Sequence, residues 1–237
     1  MSHHRRVYVV ARDIEIRRVL TQFVSGIGAE AWPFSAGADF LKILDYLEPG
    51  CVLLDMDVGD VDGLEILSEL TRRGLGWPAI AMSAREELPL AIEAMKLGAL
   101  DFLGLPPKRE VLALALAPAW RALDRAIEAG AARREALERI SRLTAREIDV
   151  SLALLNGGSN KTVAHKFGIS VRTVEMHRAH IMSKLGVKSL AEAALLATQA
   201  GIDPTRRAVD LPERGLATAR FAGGAGRESR TALARRF

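Results

Sequence analysis

The sequence predicts an α/β domain built on a five-stranded parallel sheet, followed by a helical linker and a smaller all-α domain. Three observations carry this prediction. Short apolar runs alternate with helix-spaced stretches over residues 1–117. Between 159 and 186, serine and glycine punctuate two short helical segments around a tight turn. Charge also changes sign along the chain: residues 1–110 hold 12 Lys and Arg against 17 Asp and Glu, whereas residues 141–200 hold 8 against 4. An acidic front and a basic back suit a sensing part joined to a nucleic-acid binder. At 237 residues the chain is long enough for two small domains.

In chain order, the front half reads as strand 7–10, helix 14–27, strand 29–34, helix 38–47 and strand 51–54. Helix 63–70, strand 78–82, helix 86–97, strand 100–103 and helix 109–117 follow. Strands separated by helices pair in parallel and bury both faces of their sheet. The working site of such a sheet lies beyond the carboxyl ends of its strands. Ala11, Arg12, Asp13, Asp55, Asp57, Ser83 and Leu105 fall there.

Residues 118–140 read as a helical linker. Trp120, Leu123, Ile127 and Leu137 approximate a 4-3 repeat, with Gly130 and Arg134 breaking the seam. Two readings stand: weak pairing with a second copy, or a single solvated helix continuing the one before it. Farther on, Ser159 can cap a helix that Gly168 ends, and Ser170 can cap a second that ends at Gly186. This is helix-turn-helix order. In the second helix Val171, Val174, Ile181 and Leu185 share a stripe expected to face inward. Arg172, Met176, Ala179 and Ser183 face away from it, and Thr173, His180 and Lys184 line a flank. A groove-reading helix needs that division. The competing reading is an ordinary surface helix with solvated charges.

The residues then carry two resemblances. Residues 143–197 closely resemble the DNA-binding domain of LuxR/FixJ-type transcription regulators. The matching pieces include Leu143 to Glu147 (LTARE), Ser159 to Lys161, Ile169 and Ser170, Thr173 to Glu175, His177 and Arg178, and Lys184 and Leu185. The resemblance implies a four-helix LuxR-type domain whose last helix, 190–199, pairs with a second copy. DNA contacts are then expected from Asn160, Lys161, Ser170, Arg172, Thr173, Glu175, Met176, Arg178, Ala179, His180 and Lys184. The expected partner is double-stranded DNA, an imperfect palindrome with half-sites about 10 base pairs apart, bound by a homodimer.

Residues 6–117 resemble a response-regulator receiver domain of the FixJ type, best in CVLLDMDVGDVDGLEIL, AIEAMKLGALDFL and AIAMSA. By that register Asp55 is the phosphoacceptor position, Ser83 the hydroxyl position and Phe102 the aromatic switch position. Two adjacent acids that hold magnesium in the family are here Ala11 and Arg12, and the lysine that pairs with the phosphoryl group is Leu105. Magnesium takes near-octahedral oxygen ligands and neutralises phosphoryl charge, so these changes touch the chemistry itself. Arg12 is expected to pair with Asp55 and keep it charged. Asp13, Asp57, Asp60 and Asp62 read as a solvated acidic loop rather than a weak cation site. The resemblance therefore implies an atypical receiver that works independently of ordinary aspartyl phosphorylation.

Other functions find little support. Cys51 is the only cysteine and lies in an apolar run, so neither a disulfide framework nor a thiolate metal site is expected. No secretory signal or membrane span is read, and a cytoplasmic protein is the simplest class. His3 and His4 sit at the terminus, and His165, His177 and His180 lack the partners of a metal or catalytic site. Gly26 and Gly28 do not follow a strand as a dinucleotide fingerprint requires. Trp32, Trp77 and Trp120 read as packing anchors. No nucleophile–base pair or metal cluster is found, so no enzyme, metal or cofactor is expected. The chain divides into 1–117, 118–140, 141–201 and a basic tail, 202–237, expected to be disordered. The alternative to a DNA-binding regulator is a signalling interaction protein whose receiver docks a histidine kinase or another regulator and is still phosphorylated at Asp55.

Overall fold

The computed structural model describes residues 5–85 and 87–203. His3, His4 and the basic tail from 204 onward lie outside the described residues, as does Glu86 at the expected start of its helix. The chain divides into two compact units, the first running through Ile127 and the second starting at Glu128.

In the first unit, β1 (Arg6–Val10), β2 (Glu30–Phe34), β3 (Cys51–Asp55), β4 (Ala79–Ser83) and β5 (Ala99–Gly104) form one sheet in the order β2-β1-β3-β4-β5. All neighbours pair in parallel. Between them run α1 (Ile14–Gly26), α2 (Gly37–Ile43), α3 (Gly63–Arg72) and α4 (Leu88–Lys96). Alternation along the strands sorts the core into two layers, since successive side chains point to opposite faces. Tyr8, Val10, Val52, Leu54 and Ala81 pack with Phe40, Ile66 and Leu67 on one face. Val7, Val9, Cys51, Leu53 and Ile80 pack with Leu20, Phe23 and Leu116 on the other. Pro33 is tolerated because β2 is an edge strand and no ladder bond is lost on its open side.

The sequence expectation departs from the structure at α2 and at the linker. The helix expected over 38–47 is α helix only through Ile43 and tightens to a 3-10 turn at Leu44–Tyr46. Residues 118–140 continue the preceding helix, as in the second reading of the linker, but they are not solvated throughout: α5 (Arg109–Ile140) is one helix through Pro118. Leu112, Leu116, Ala119, Trp120 and Leu123 are all buried in the first unit, and that continuous apolar face holds the helix together past the missing N–H. The seam read as a coiled coil is therefore used within the chain. Trp120, Leu123 and Ile127 pack in the first core, and Leu137 packs in the core of the second unit.

The second unit adds α6 (Ala145–Leu155), α7 (Asn160–Phe167), α8 (Val171–Leu185) and α9 (Leu190–Gln199). Each starts on a hydroxyl cap from Thr144, Ser159, Ser170 and Ser189, an interaction contributing about 1 kcal/mol apiece. Gly168 ends α7 in the left-handed region at φ 64°, where a side chain would be strained. Their core joins Val150, Leu154, Val163, Val174, Ile181, Leu185 and Leu196. No helix among the described residues is long and apolar enough to cross a membrane.

Candidate functional site

The helix-turn-helix is α7 and α8. Ser159 Oγ accepts from Thr162 N–H at 3.1 Å, and Ser170 Oγ accepts from Thr173 N–H at 3.0 Å. Ser170 Oγ and Thr173 Oγ1 also share a hydrogen bond, so both hydroxyls belong to the cap of α8. Val174, Ile181 and Leu185 face the core, whereas Val171, expected with them, is exposed. It is the first residue of α8, ahead of the point where neighbouring helices cover that stripe. Arg172, Glu175, Met176 and Ala179 are exposed along the opposite side, with Lys161, Arg178 and His180 also at the surface and Asn160 half-buried.

Lys184, expected on DNA, is committed elsewhere. Its Nζ donates to Glu147 Oε2 at 2.6 Å, and Glu147 is buried. The same carboxylate accepts from the N–H and the hydroxyl of Thr144 at 2.8 and 2.9 Å, which completes a capping box. The Lys184 and Thr144 bonds hold Glu147 down at about 2. Arg146 donates to Phe167 O at 3.1 Å and lies over the Phe167 ring, tying α6 to the end of α7. Sequence reasoning left Glu147 without a role. The signal was the Thr-x-x-Glu spacing at 144–147.

The second site lies at the carboxyl end of the sheet. Val10 is level with Leu54, and Asp55 with Met82, so Ala11, Asp55 and Ser83 leave neighbouring strand ends together. Asp55 and Ser83 are buried. Asp55 Oδ1 accepts from Asp57 N–H at 3.0 Å, and Ser83 Oγ accepts from Arg85 N–H at 3.0 Å. Leu105 packs against the α1/α5 core layer, and its N–H donates to Ser83 O at 2.8 Å. Phe102 is half-buried against the other layer.

Arg12 does not pair with Asp55. Its guanidinium reaches Asp57 at 3.3 Å, with both side chains exposed. Gly59 makes this path open: a Cβ there would stand 2.8 Å from Arg12 Cδ. Left in its pocket, Asp55 is pushed up by burial, against which the Asp57 N–H bond and, after it, the Arg12 charge pull down. The nearby acids are structural rather than merely solvated. Asp13 Oδ1 accepts from Glu15 and Ile16 N–H and caps α1. Asp60 accepts from Gly37 and Ala38 N–H at the start of α2, and Asp62 accepts from Leu64 N–H and caps α3. Arg17, which the sequence did not single out, donates to Ala11 O and Arg12 O at 2.7 Å and ties down the β1–α1 loop.

Residues 141–197 match the luxR family of bacterial regulatory proteins, and residues 7–117 match the response regulator receiver domain. The transcriptional regulatory protein FixJ of Azorhizobium caulinodans is 38% identical over 201 residues, 84% of this chain and 94% of that protein. The chain belongs to the FixJ-type response regulators. It is a two-component response regulator with a LuxR-type DNA-binding domain. Among solved structures, the response regulator StyR is similar at a TM-score of 0.65 and 30% identity, covering 83% of this chain and all (100%) of that one. Full-length FixJ from B. japonicum is similar at 0.51 and 34%, covering 84% and 98%. A FixJ-type receiver implies magnesium beside Asp55. The residues here do not fit it: position 11 offers a methyl group, position 12 a cation, and the adjacent acids are engaged as caps or by Arg12.

Proposed function

We propose that this FixJ-type regulator binds an imperfect palindrome as a homodimer in the cytoplasm and does so without aspartyl phosphorylation. The observation that carries the second half of this reading is the Arg12–Asp57 pair, with Asp13, Asp60 and Asp62 all engaged as caps around a buried Asp55. Phosphoryl transfer to a carboxylate brings anion against anion, so positive charge must be positioned before attack. Here the guanidinium is turned outward to Asp57, and Leu105 supplies no counter-ion. DNA contact by Asn160, Lys161, Arg172, Glu175, Met176, Arg178, Ala179 and His180 is supported by their position on α7 and α8, with Ser170 and Thr173 shaping the cap and Lys184 left out. Exposed Leu195 on α9 supports pairing of two DNA-binding domains.

Intact-mass measurement after incubation with acetyl phosphate and magnesium, or with a histidine kinase, tests the reading. The expected result is an unmodified chain, and an Asp55→Ala protein that binds the same operator as wild type. Arg12→Asp with Leu105→Lys is expected to restore partial magnesium binding. A single phosphoryl adduct that disappears in Asp55→Ala would instead favour a receiver that is charged by a kinase in the ordinary way.

A further inference from the structure

Only three large apolar side chains of the second unit are exposed among the described residues: Val171, Met176 and Leu195. Leu195 lies on α9, and Val171 sits at the first turn of α8, on the rim between core and surface. Met176 is different. It lies mid-helix, opposite buried Val174, Ile181 and Leu185, and is 52% exposed. Arg172 is one turn before it, and Ala179 and His180 one turn after. It is not among the apolar residues packed on the core of the unit, so core packing gives no reason for an apolar residue at the centre of a polar stripe. Ala179 is the smallest side chain on that stripe and lets the helix approach a groove floor closely. The major groove offers one apolar group to such a helix, the C5 methyl of thymine. An unbranched, flexible thioether suits that contact.

We infer that Met176 reads a thymine through its C5 methyl, beside the base contacted by Arg172. The inference rests on the DNA-binding reading of α8 and names what that helix recognises. Withdrawing one methyl group from water corresponds to about fourfold in affinity.

The full chain is first used to enrich binding sequences from a pool of random duplexes. In the enriched duplex each thymine is then replaced, one at a time, by deoxyuridine, which keeps the base pair and removes only the methyl. Wild type is expected to lose about fourfold at one thymine per half-site and nothing elsewhere. Met176→Ala, whose fold is checked by circular dichroism, is expected to bind the thymine and deoxyuridine duplexes equally. Met176→Leu is expected to keep the methyl dependence, and Met176→Gln to lose it. Deoxyuridine tolerated at every position by wild type overturns the inference, as does a loss of equal size in Met176→Ala. A pool from which nothing is enriched is a separate result and overturns the DNA-binding reading itself.

Discussion

The DNA-reading head and the receiver pocket are both built at the ends of elements, and both are organised by helix caps. They differ in which atoms do the capping. In the head, Thr144, Ser159, Ser170 and Ser189 cap with hydroxyls, and the exposed stripe of α8 stays free for a partner. In the pocket, Asp13, Asp60 and Asp62 satisfy backbone N–H groups with carboxylates, and Asp57 is taken by Arg12. The same device leaves a polar stripe exposed in one place and engages carboxylates with backbone N–H groups in the other. Asp55, which accepts from Asp57 N–H, is buried and raised.

The largest effect is expected at α9. Leu196 is buried and Leu195 is exposed. Leu196→Asp is expected to destabilise the second unit by about 4 kcal/mol, read from urea unfolding, because a charge is forced into the core. Leu195→Asp should leave the unfolding midpoint within about 0.5 kcal/mol and weaken DNA binding through the paired form. Equal unfolding of both variants would contradict the assignment of an inner and an outer face.

Within the head, Lys184 and Arg172 separate structure from recognition. Lys184→Ala leaves buried Glu147 without its cation and should cost about 2 kcal/mol of stability. Arg172→Ala should leave stability unchanged and cost about 1–3 kcal/mol of binding to the preferred sequence. Lys161→Ala is expected to weaken all sequences alike and reduce the salt slope by about one unit. The sign of the pH effect follows from Glu147, held at about 2 against an ordinary 4.5. The folded state binds this proton less readily, so the stabilisation is complete above about 4.5 and is lost as pH falls towards 2. Thermal unfolding measured across that window should flatten in Lys184→Ala.

The smallest effect belongs to the pocket. Burial raises Asp55, so its charge opposes folding at neutral pH, and the folded state gains relative stability as pH falls. Asp55→Asn keeps an acceptor for Asp57 N–H and removes the charge. It should stabilise the first unit by about 1 kcal/mol, a rise of a few degrees in Tm. A lower Tm would mean that Arg12 or another group holds the carboxylate charged.

Much of the fold was legible because its signals are local. Alternating apolar runs marked all five strands, and Ser159, Gly168, Ser170 and Gly186 marked the helix-turn-helix within a residue. What was not legible depended on neighbours distant in sequence. The sequence of residues 118–140 admits two readings, and only the core beneath Trp120 and Leu123 shows that they continue the preceding helix with one face buried. Val171 follows the apolar period of α8, but at the helix's first residue it stays exposed, while Val174 in the same turn is buried.

The same division holds for the candidate sites. By itself the sequence determined which residues stand at the strand ends, that Ala11, Arg12 and Leu105 depart from the family pattern, and which side of α8 is polar. Those are matters of register and periodicity. Only the tertiary structure decided where charges go. Arg12 turns to Asp57 because Gly59, 47 residues away, leaves a path for it. Lys184 turns to Glu147, 37 residues away, because a buried carboxylate needs a partner more than a solvated cation does.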